Sequence, residues 1–364
     1  MTVAVYLHPF GEKKPAGLAR AVYEITKSVI AADPRNEYLI LLKKKPEFPP
    51  QFPGTNWRVQ ILGHKYLWLT AKFREVKADL TLFFTPVVPL FFQPKRTIIV
   101  VFDMAHQRLP DHSLKSRLYH RLLYFVNKLA LKRAAAIVPV SEFTKSEVGN
   151  LFTVDSKKIQ VIPLGLNILG GNEVIEANSI RNPYFLFVGV IKERKNVFSA
   201  VKAFHEFKKT DTRGVCLVIV GKGGGAYQQR IVKFIADENL QDFVIILDHV
   251  TDAKLEALYH YAAGLIFPSL YEGLGMPILE AMAAGLVTVA GDNPGYASVM
   301  QGLGAISLVN PKHHQEFARR LNLLLEEKDL RRLWRNWAEI QMPQYSYTTI
   351  VSQYEEIYEQ AIAE

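Results

Sequence analysis

Two series of short apolar runs, separated by longer amphipathic stretches, constrain the fold of this chain more than any other feature. The runs read TVAVYL, EYLILL, TIIVVF and AAAIVPV in the first half, then YFLFVG, CLVIVG, FVIIL and GLIFPS in the second. Continuous apolar runs of this length are typical of strands buried on both faces of a parallel sheet. The stretches between them predict helices over residues 18–30, 115–133, 198–207 and 226–239. This alternation predicts an α/β chain with two doubly wound parallel sheets.

The length agrees with two domains, because 364 residues correspond to two units at roughly 150 residues each. A boundary is expected between residues 167 and 183, where paired glycines, mixed polar residues and Pro183 precede the run YFLFVG. The last segment, residues 345–364, has aromatic and aliphatic residues at helical spacing and predicts an amphipathic terminal helix.

The composition excludes several other classes of protein. A content of 49% hydrophobic and 22% charged residues is close to that of ordinary globular proteins, so disorder and fibrous architectures are excluded. The single cysteine, Cys216, excludes an internal disulfide framework, and its place in the run VCLVIV predicts a buried thiol. The N-terminal sequence lacks the pattern of a secretory signal, and no apolar window reaches 18 residues. We therefore expect a cytoplasmic protein.

The positive charge is concentrated in the first half of the chain. Residues 1–170 hold 25 basic and 12 acidic side chains, a net charge of +13, whereas the remainder holds 19 and 23, a net charge of −4. Residues 64–77 mix basic and aromatic side chains on a predicted helix, a pattern that suits contact with anionic lipid. The alternative is a helix that packs its apolar face on the sheet. No nucleic-acid-binding signature accompanies the charge, so we expect no nucleic-acid partner.

The most informative motif is the run PSLYEGLGMPILEAMAAG at residues 268–285. It follows the apolar run GLIF and places Glu272 and four small or apolar residues before Pro277, which is suited to the first turn of a helix. The free N–H groups at such a helix start favour a phosphate or diphosphate. Glu280 follows within the predicted first turn, and its carboxylate suits a pair of vicinal hydroxyls. The alternative is a capping loop whose acidic residues only complement the helix dipole.

Seven residues separate Glu272 from Glu280, and the whole run resembles the signature of glycosyltransferase family four, a retaining family with the GT-B fold. Further segments agree with the family in the same order along the chain: GLAR at residues 17–20, VFDMAHQRLPDHS, VPVSEFTKSEV, VIPLGLN and FVGVIKERKNV. The resemblance implies two Rossmann-like domains that face a cleft. Residues 1–167 would bind the acceptor, residues 180–343 would bind the nucleotide sugar, and the terminal helix would cross back to the first domain.

The resemblance also implies roles for residues of the second domain. Glu280 would hold the nucleotide ribose, and Glu272 would contact hydroxyls of the transferred sugar. Backbone amides and two basic side chains would hold the diphosphate, because fixed donors stabilise the charge that develops on a leaving phosphate. These residues are Gly273, Leu274, Gly275, Arg194 and Lys195. The alternative for the two basic side chains is a solvated loop.

In the first domain the resemblance points to His106 and Asp103, which follow the run TIIVVF where a ligand-facing loop is expected to begin. Both are candidates for the reaction centre, although many family members have a histidine where Phe102 stands here. The resemblance also places Gly17 and Arg20 near the acceptor or a phosphate.

We expect no metal and no cofactor, because the sequence contains no Asp-x-Asp pair to hold a divalent ion on the diphosphate. No catalytic nucleophile is evident, and the resemblance implies front-face attack with retention of configuration. The expected partners are a nucleotide sugar and a glycan or lipid-linked acceptor of cell-surface polysaccharide synthesis. A peripheral contact of the basic half with the inner face of the membrane is a further expectation.

Three other functions are compatible with parts of the sequence. Gly221, Gly223 and Ala226 fit the pattern G-x-G-x-x-A between a strand and a helix, which favours an NAD-dependent oxidoreductase when it is considered alone. A phosphorylase or a nucleotide-sugar epimerase would share the GT-B fold. A non-catalytic protein that binds sugar or lipid would keep the ligand site without turnover.

Overall fold

The computed structural model describes residues 1–10, 17–63, 72–94, 96–108, 114–166, 183–248 and 250–363. The chain divides into two compact units. One is formed by Met1–Asn167 with Gln344–Glu364, and the other by Ile168–Pro343. The predicted boundary over residues 167–183 lies, apart from Pro183, outside the described residues.

In its described part, the first unit contains one six-stranded parallel sheet with the strand order β3-β2-β1-β4-β5-β6. The strands are β1 (Thr2–Tyr6), β2 (Glu37–Leu42), β3 (Trp57–Ile61), β4 (Leu80–Phe83), β5 (Thr97–Val101) and β6 (Ala136–Pro139). The helices are α1 (Gly17–Ala32), α2 (Ala105–Arg108), α3 (Leu114–Arg133), α4 (Glu142–Leu151) and the last helix of the chain, α11 (Tyr347–Ala363).

The second unit, within residues 183–248 and 250–343, also contains a six-stranded parallel sheet, with the order β12-β11-β10-β7-β8-β9. The strands are β7 (Tyr184–Val188), β8 (Cys216–Val220), β9 (Val244–Leu247), β10 (Gly264–Phe267), β11 (Thr288–Gly291) and β12 (Leu308–Val309). The helices are α5 (Val197–Lys208), α6 (Gly225–Asp237), α7 (Asp252–Tyr261), α8 (Met276–Ala283), α9 (His314–Glu326) and α10 (Lys328–Gln341).

Both sheets have the strand order of a doubly wound Rossmann-like fold, which confirms the predicted fold class. In each sheet the order reverses beside the first strand, between β1 and β4 in the first unit and between β7 and β10 in the second. Loops that leave the carboxyl ends of those central strands diverge to opposite sides of the sheet and leave a crevice for a ligand. Candidate site residues are therefore expected at these two places.

The central strands are built from the predicted apolar runs and are almost completely buried. β1, β5, β7, β8 and β10 lie within TVAVYL, TIIVVF, YFLFVG, CLVIVG and GLIFPS, and Cys216 is fully buried as predicted. The terminal helix α11 packs on α1 in the first unit and buries Ile350, Tyr354 and Tyr358. The backbone N–H of Leu166 donates to the carbonyl of Tyr345 (2.8 Å), which ties the segment before α11 to the same unit.

The helix predicted over residues 64–77 is not formed in the part of it that can be compared. Residues 64–71 lie outside the described residues, and Lys72–Glu75 form a single 3-10 turn. Phe73 is buried in the core of the first unit, and the Arg74 guanidinium lies 4.1 Å from the centre of the Phe92 ring. Phe73 therefore packs in the core of the first unit and is not available for the contact with lipid that was the other interpretation of this segment.

Candidate active site

The loop between β10 and α8 has the local structure that its sequence predicts. Gly275 precedes the first residue of α8 with φ = +88°, and a Cβ there would lie 2.9 Å from Cδ1 of Tyr296. The left-handed backbone and the close ring both favour glycine at this position. Pro277 lies in the first turn, and Gly285 ends the helix with φ = +64°. Glu280 is the fifth helical residue, so it lies one residue beyond the first turn to which it had been assigned.

Glu272, Lys195 and Arg194 form one group of ion pairs in the second unit. Lys195 Nζ lies 2.6 Å from Glu272 Oε1, and Arg194 Nη1 lies 3.3 Å from Glu272 Oε2. The Glu272 side chain is only 8% exposed, and those of Lys195 and Arg194 are 12% and 25% exposed. Two cations thus meet one carboxylate in a largely desolvated place, which leaves a net positive charge available to an anionic ligand.

The position of this group follows from the sheet topology. Lys195 belongs to the loop after β7, and Glu272 belongs to the loop after β10. These two strands pair in parallel at the point where the strand order reverses. Their carboxyl ends therefore lie side by side, and residues 77 positions apart along the chain come into contact.

Backbone and neutral side chains hold the charged group in place. Ser269 Oγ donates to Glu272 Oε1 (2.6 Å), and Arg194 Nη1 donates to the carbonyl of Tyr271 (2.7 Å). The amide of Leu270 donates to the carbonyl of Arg194 (2.9 Å). The loop after β7 and the loop after β10 are thus joined through main chain as well as through side chains, which fixes both cations relative to the start of α8.

Asn196 turns the chain directly after Lys195. Its backbone is left-handed (φ = 53°, ψ = 37°), and it precedes the first residue of α5. Its Nδ2 donates to the carbonyls of Pro268 (3.0 Å) and Pro311 (3.1 Å), while Ser199 Oγ donates to its Oδ1 (2.8 Å). An asparagine tolerates this conformation better than most residues, and here its amide also fixes the loop to two neighbouring segments.

Glu280 lies on α8, half-buried, and does not join the ion pairs of Glu272. Its Oε2 accepts a hydrogen bond from the Tyr259 hydroxyl at 2.6 Å. Tyr259 lies on α7, so this contact joins α7 to α8. A carboxylate has two oxygens that can each accept more than one hydrogen bond, as a group that holds two ribose hydroxyls requires.

His106 and Asp103 lie in the first unit, just beyond the carboxyl end of β5. Asp103 Oδ1 accepts from the backbone N–H of Ala105 (3.0 Å) and thereby caps the short helix α2 that carries His106. Burial lowers the pKa of His106 below its usual value, and this outweighs the opposite effect of the Asp103 charge. His106 is therefore a neutral imidazole at pH 7, not a fixed cation.

Asn127 of α3 orients the His106 ring. The arrangement that satisfies both amide atoms has Asn127 Nδ2 donating to the carbonyls of Pro86 and Leu123 (3.3 Å each). Asn127 Oδ1 then accepts from His106 Nε2 at 3.0 Å. This arrangement places the imidazole proton on Nε2 and leaves Nδ1 as the acceptor nitrogen.

The remaining candidates of the first unit are less informative. Gly17 is the first residue of α1, and Arg20 is exposed one turn later on the same helix. Arg108, on the same short helix as His106, forms a two-point ion pair with Glu147 (2.6 and 2.8 Å). Their contacts to a phosphate or acceptor stay predictions.

The glycine pattern that favoured NAD has a packing explanation. A Cβ at Gly221 would lie 1.9 Å from the carbonyl oxygen of Gly189, so only glycine lets the turns after β7 and β8 approach this closely. A Cβ at Gly223 would lie 2.5 Å from the Gln228 amide oxygen and 2.8 Å from Cβ of Ile191. These glycines are therefore required by the second unit itself, without a dinucleotide.

Four side chains that support the site were not singled out from the sequence. Ser269 lies inside the motif at residues 268–285 and Asn196 directly follows Lys195, so the sequence contains a local signal for both. Tyr259 and Asn127 carry no local signal, because each meets its partner 21 residues away in sequence only through helix packing.

Two family models match the chain, one in each unit. The model of glycosyltransferase family 4 matches residues 17–168, and the model of glycosyl transferases group 1 matches residues 173–341. Among curated proteins, the O-antigen chain mannosyltransferase RfbU of Salmonella typhimurium is 33% identical over 213 residues, which are 58% of this chain and 56% of RfbU. An MMP α-(1→4)-mannosyltransferase of Mycolicibacterium hassiacum is 28% identical, over 64% of this chain and 56% of that protein. The chain thus spans a little over half the length of these relatives.

Solved structures share the fold over almost the whole chain. Sucrose-phosphate synthase from Thermosynechococcus elongatus superimposes with a TM-score of 0.76 and 18% identity, covering 100% of this chain and 99% of that one. WaaG, a glycosyltransferase involved in lipopolysaccharide biosynthesis, gives a TM-score of 0.75 at 16% identity, covering 98% and 99%. Anabaena HepE in complex with UDP and glucose gives 0.74 at 16% identity, covering 98% and 99%. With both units matched by glycosyltransferase models and the GT-B fold formed, this chain belongs to the glycosyltransferases of the family-four type.

Proposed function

We propose that this protein is a retaining glycosyltransferase that moves a hexose from a nucleoside-diphosphate sugar to a hydroxyl of a glycan or lipid-linked acceptor in cell-surface polysaccharide synthesis. Mannose is the first candidate for the hexose, because the curated relatives include several mannosyltransferases, among them two that act on O-antigen chains. The observation that carries the proposal is the contact of Lys195 and Arg194 with Glu272 at the carboxyl ends of β7 and β10.

The donor diphosphate would lie against Lys195, Arg194 and the amides that precede α8. Negative charge accumulates on the phosphate as the bond between the sugar C1 and the phosphate oxygen breaks. Cations held in place by Glu272 and by main-chain contacts need no rearrangement to meet that charge, so they stabilise the transition state better than water does. The partial positive charge at the N-terminal end of α8 would also favour the diphosphate.

The two carboxylates would divide the recognition of the donor. Glu280, next to Tyr259, would accept from the ribose hydroxyls, and Glu272 would accept from hydroxyls of the hexose. In this proposal neither acts as a nucleophile. The acceptor oxygen bonds to C1 on the face that the diphosphate leaves, its proton passes to the departing phosphate oxygen, and the configuration at C1 is retained.

We further propose that transfer requires no divalent metal, since Lys195 and Arg194 supply cations where a metal would otherwise lie. Turnover in excess chelator tests this. Undiminished turnover is expected, and its complete loss on chelation, with recovery on adding Mg²⁺ or Mn²⁺, would contradict the metal-free proposal.

The transfer itself is tested with purified protein, a panel of nucleoside-diphosphate mannoses and glucoses, and synthetic lipid-linked disaccharides as acceptors. Release of nucleoside diphosphate together with an extended, α-configured product by NMR is the expected result. The Lys195→Met variant should lose turnover, whereas Lys192→Met, which removes an exposed lysine three residues away, should keep it. A product with inverted configuration, or equal turnover in both variants, would contradict the proposal.

A further inference from the structure

Helix α3 presents large apolar side chains to solvent along one face. Leu118, Leu122 and Phe125 are spaced i, i+4 and i+7, so they project from the same side of the helix. Leu118 is 72% exposed and Phe125 is 59% exposed. Phe91, 74% exposed, belongs to a segment bound to the end of the same helix, because Arg133 Nη1 donates to the carbonyl of Leu90 at 2.7 Å. An exposed apolar group of this kind marks an interaction site.

The opposite face of α3 is fixed to the first unit. Val126, Asn127, Ala130 and Leu131 are buried at 1% exposure or less. Asn127 follows Leu118 by nine residues, which is half a turn beyond two full turns, so the two side chains leave the helix in opposite directions. α3 therefore already packs one face against the first unit, and the exposed apolar residues lie on its other face.

The charge of α3 indicates the chemistry of the partner. The helix contains six lysines and arginines and no aspartate or glutamate. Arg117, Arg121, Lys128 and Lys132 are exposed, and within the described part of the chain no carboxylate lies within ion-pair distance of them. Arg121, Lys128 and Lys132 lie on one flank of the apolar stripe. A partner must therefore accept apolar side chains and at the same time neutralise a row of positive charges.

We propose that the outward face of α3, with Phe91, is the surface through which this protein binds an anionic lipid bilayer. Leucine and phenylalanine side chains enter the boundary between headgroups and acyl chains, while flanking lysines and arginines meet the lipid phosphates. A second copy of the chain does not fit, because it would bring two all-basic helices together. The apolar stripe lies on a convex helix and not in a groove, which favours a broad soft surface over a folded protein partner.

This surface deepens the proposed function and in that respect depends on it. The buried Asn127, opposite the lipid-facing stripe, is the residue that contacts His106. His106 would then lie about one helix diameter, roughly 10–12 Å, from the bilayer surface. That distance suits an acceptor whose lipid anchor stays in the membrane while its sugar hydroxyl reaches the first unit.

The test is co-sedimentation of the full chain with vesicles, in the absence of donor and acceptor. Vesicles of phosphatidylcholine alone are compared with vesicles of phosphatidylcholine and phosphatidylglycerol in equal amounts. We expect binding to the second kind only, weakened by salt. The double variants Leu122→Ser/Phe125→Ser and Lys128→Glu/Lys132→Glu should each bind roughly ten-fold more weakly or worse.

Matched controls change the same chemistry on the second unit. Leu333→Ser/Ile340→Ser removes two exposed apolar side chains of α10, and Lys233→Glu/Lys328→Glu makes the same change of net charge. Both should bind as the unchanged protein does. The proposal would be overturned if the protein did not bind vesicles, or if the controls lost as much binding as the α3 variants. It would also be overturned if the α3 variants lost binding to an acidic protein, or lost self-association, while their vesicle binding was unchanged.

Failure of this inference can be told apart from failure of the proposed function. Stabilisation of the fold by nucleoside diphosphates reports the donor site and should be unchanged in the α3 variants. If vesicle binding follows the α3 variants but no nucleotide binds, the lipid surface stands and the transferase proposal falls. If nucleotides bind and vesicles do not, the reverse holds.

Discussion

Lys195 and Glu272 show how a site is made from side chains that are distant in sequence. Their contact at 2.6 Å depends on the parallel pairing of β7 with β10, and Ser269 and the backbone then hold the pair in one arrangement. Removing Glu272 would leave two largely buried cations without their carboxylate and would cost about 3–5 kcal/mol, whereas removing Lys195 leaves Glu272 paired with Arg194 and would cost less. Variants at these positions therefore need a check of folding beside any assay of function.

Asn196 gives a test of positioning that leaves every charge in place. Asn196→Gly keeps the left-handed turn but removes the hydrogen bonds to Pro268 and Pro311, so we expect weaker nucleoside-diphosphate binding and a loss of stability of about 0.5–1.5 kcal/mol for each lost bond. Asn196→Ala should lose the same contacts and also be destabilised by about 1 kcal/mol, because alanine disfavours this backbone conformation. Calorimetric titration and thermal unfolding measure the two effects separately. Unchanged affinity in both variants would contradict the positioning role.

His106 gives a prediction for pH. Its pKa in the folded chain is below 6.5, so the unfolded chain binds more protons between the folded value and 6.5. The free energy of unfolding should therefore fall as the pH drops below about 6.5. The slope should be shallower in His106→Gln, while the similar contribution of His314 remains in both proteins. An NMR titration that gives His106 a pKa above 6.5 would contradict the buried, neutral ring.

The charged side chains of the candidate site could be predicted from the sequence, but two of the neutral side chains that contact candidate residues could not. Glu272 and Lys195 lie in motifs whose residue types match their chemistry, and the structure places them in contact. Tyr259 and Asn127 lie on helices with no motif, and their partners depend on how those helices are rotated against the sheet. Rotation of a helix is set by packing, which a local pattern does not contain.

Among secondary-structure elements, α8 makes the clearest prediction. Gly275→Ala should destabilise the protein by about 1–3 kcal/mol, because the new Cβ meets the Tyr296 ring and the backbone has a positive φ. Gly149→Ala is the matched control, since this exposed glycine lies inside α4 with no atom within 4 Å of the added Cβ. It should stabilise by about 0.5–1 kcal/mol. Chemical denaturation measures both, and equal effects would contradict the strained start of α8.

The strands show where apolar runs succeed and fail as predictors. Central strands such as β5 and β8 are buried on both faces, so their sequences are continuously apolar and stand out. β3 lies at the edge of its sheet with mostly exposed or half-buried side chains, and β12 has two residues, so neither leaves such a run. α3 was predicted to within one residue, but its apolar residues occupy both faces, and periodicity alone does not separate the buried face from the exposed one.

At the scale of the whole molecule, the two halves of the chain differ in net charge. The basic excess of residues 1–170 agrees with a first unit that meets an anionic surface, and the family models assign a separate domain to each unit. No helix in the described residues is long and apolar enough to cross a membrane. The doubly wound parallel architecture was predictable from the repeated alternation because parallel sheets need crossover helices. The identity of the sugar and of the acceptor was not, because the residues that would select them have no distinctive pattern.

The central claim is that the group around Lys195 binds a nucleoside diphosphate. Thermal unfolding of the purified chain with UDP, GDP, ADP, CMP and NAD tests it most directly, because a ligand of the folded state raises stability by RT ln(1 + [L]/Kd). We predict a rise in Tm with one nucleoside diphosphate that is lost in Lys195→Met and in Glu280→Ala but kept in Lys192→Met. A rise with NAD alone, or a nucleotide effect that is the same in Lys195→Met and Lys192→Met, would contradict the claim.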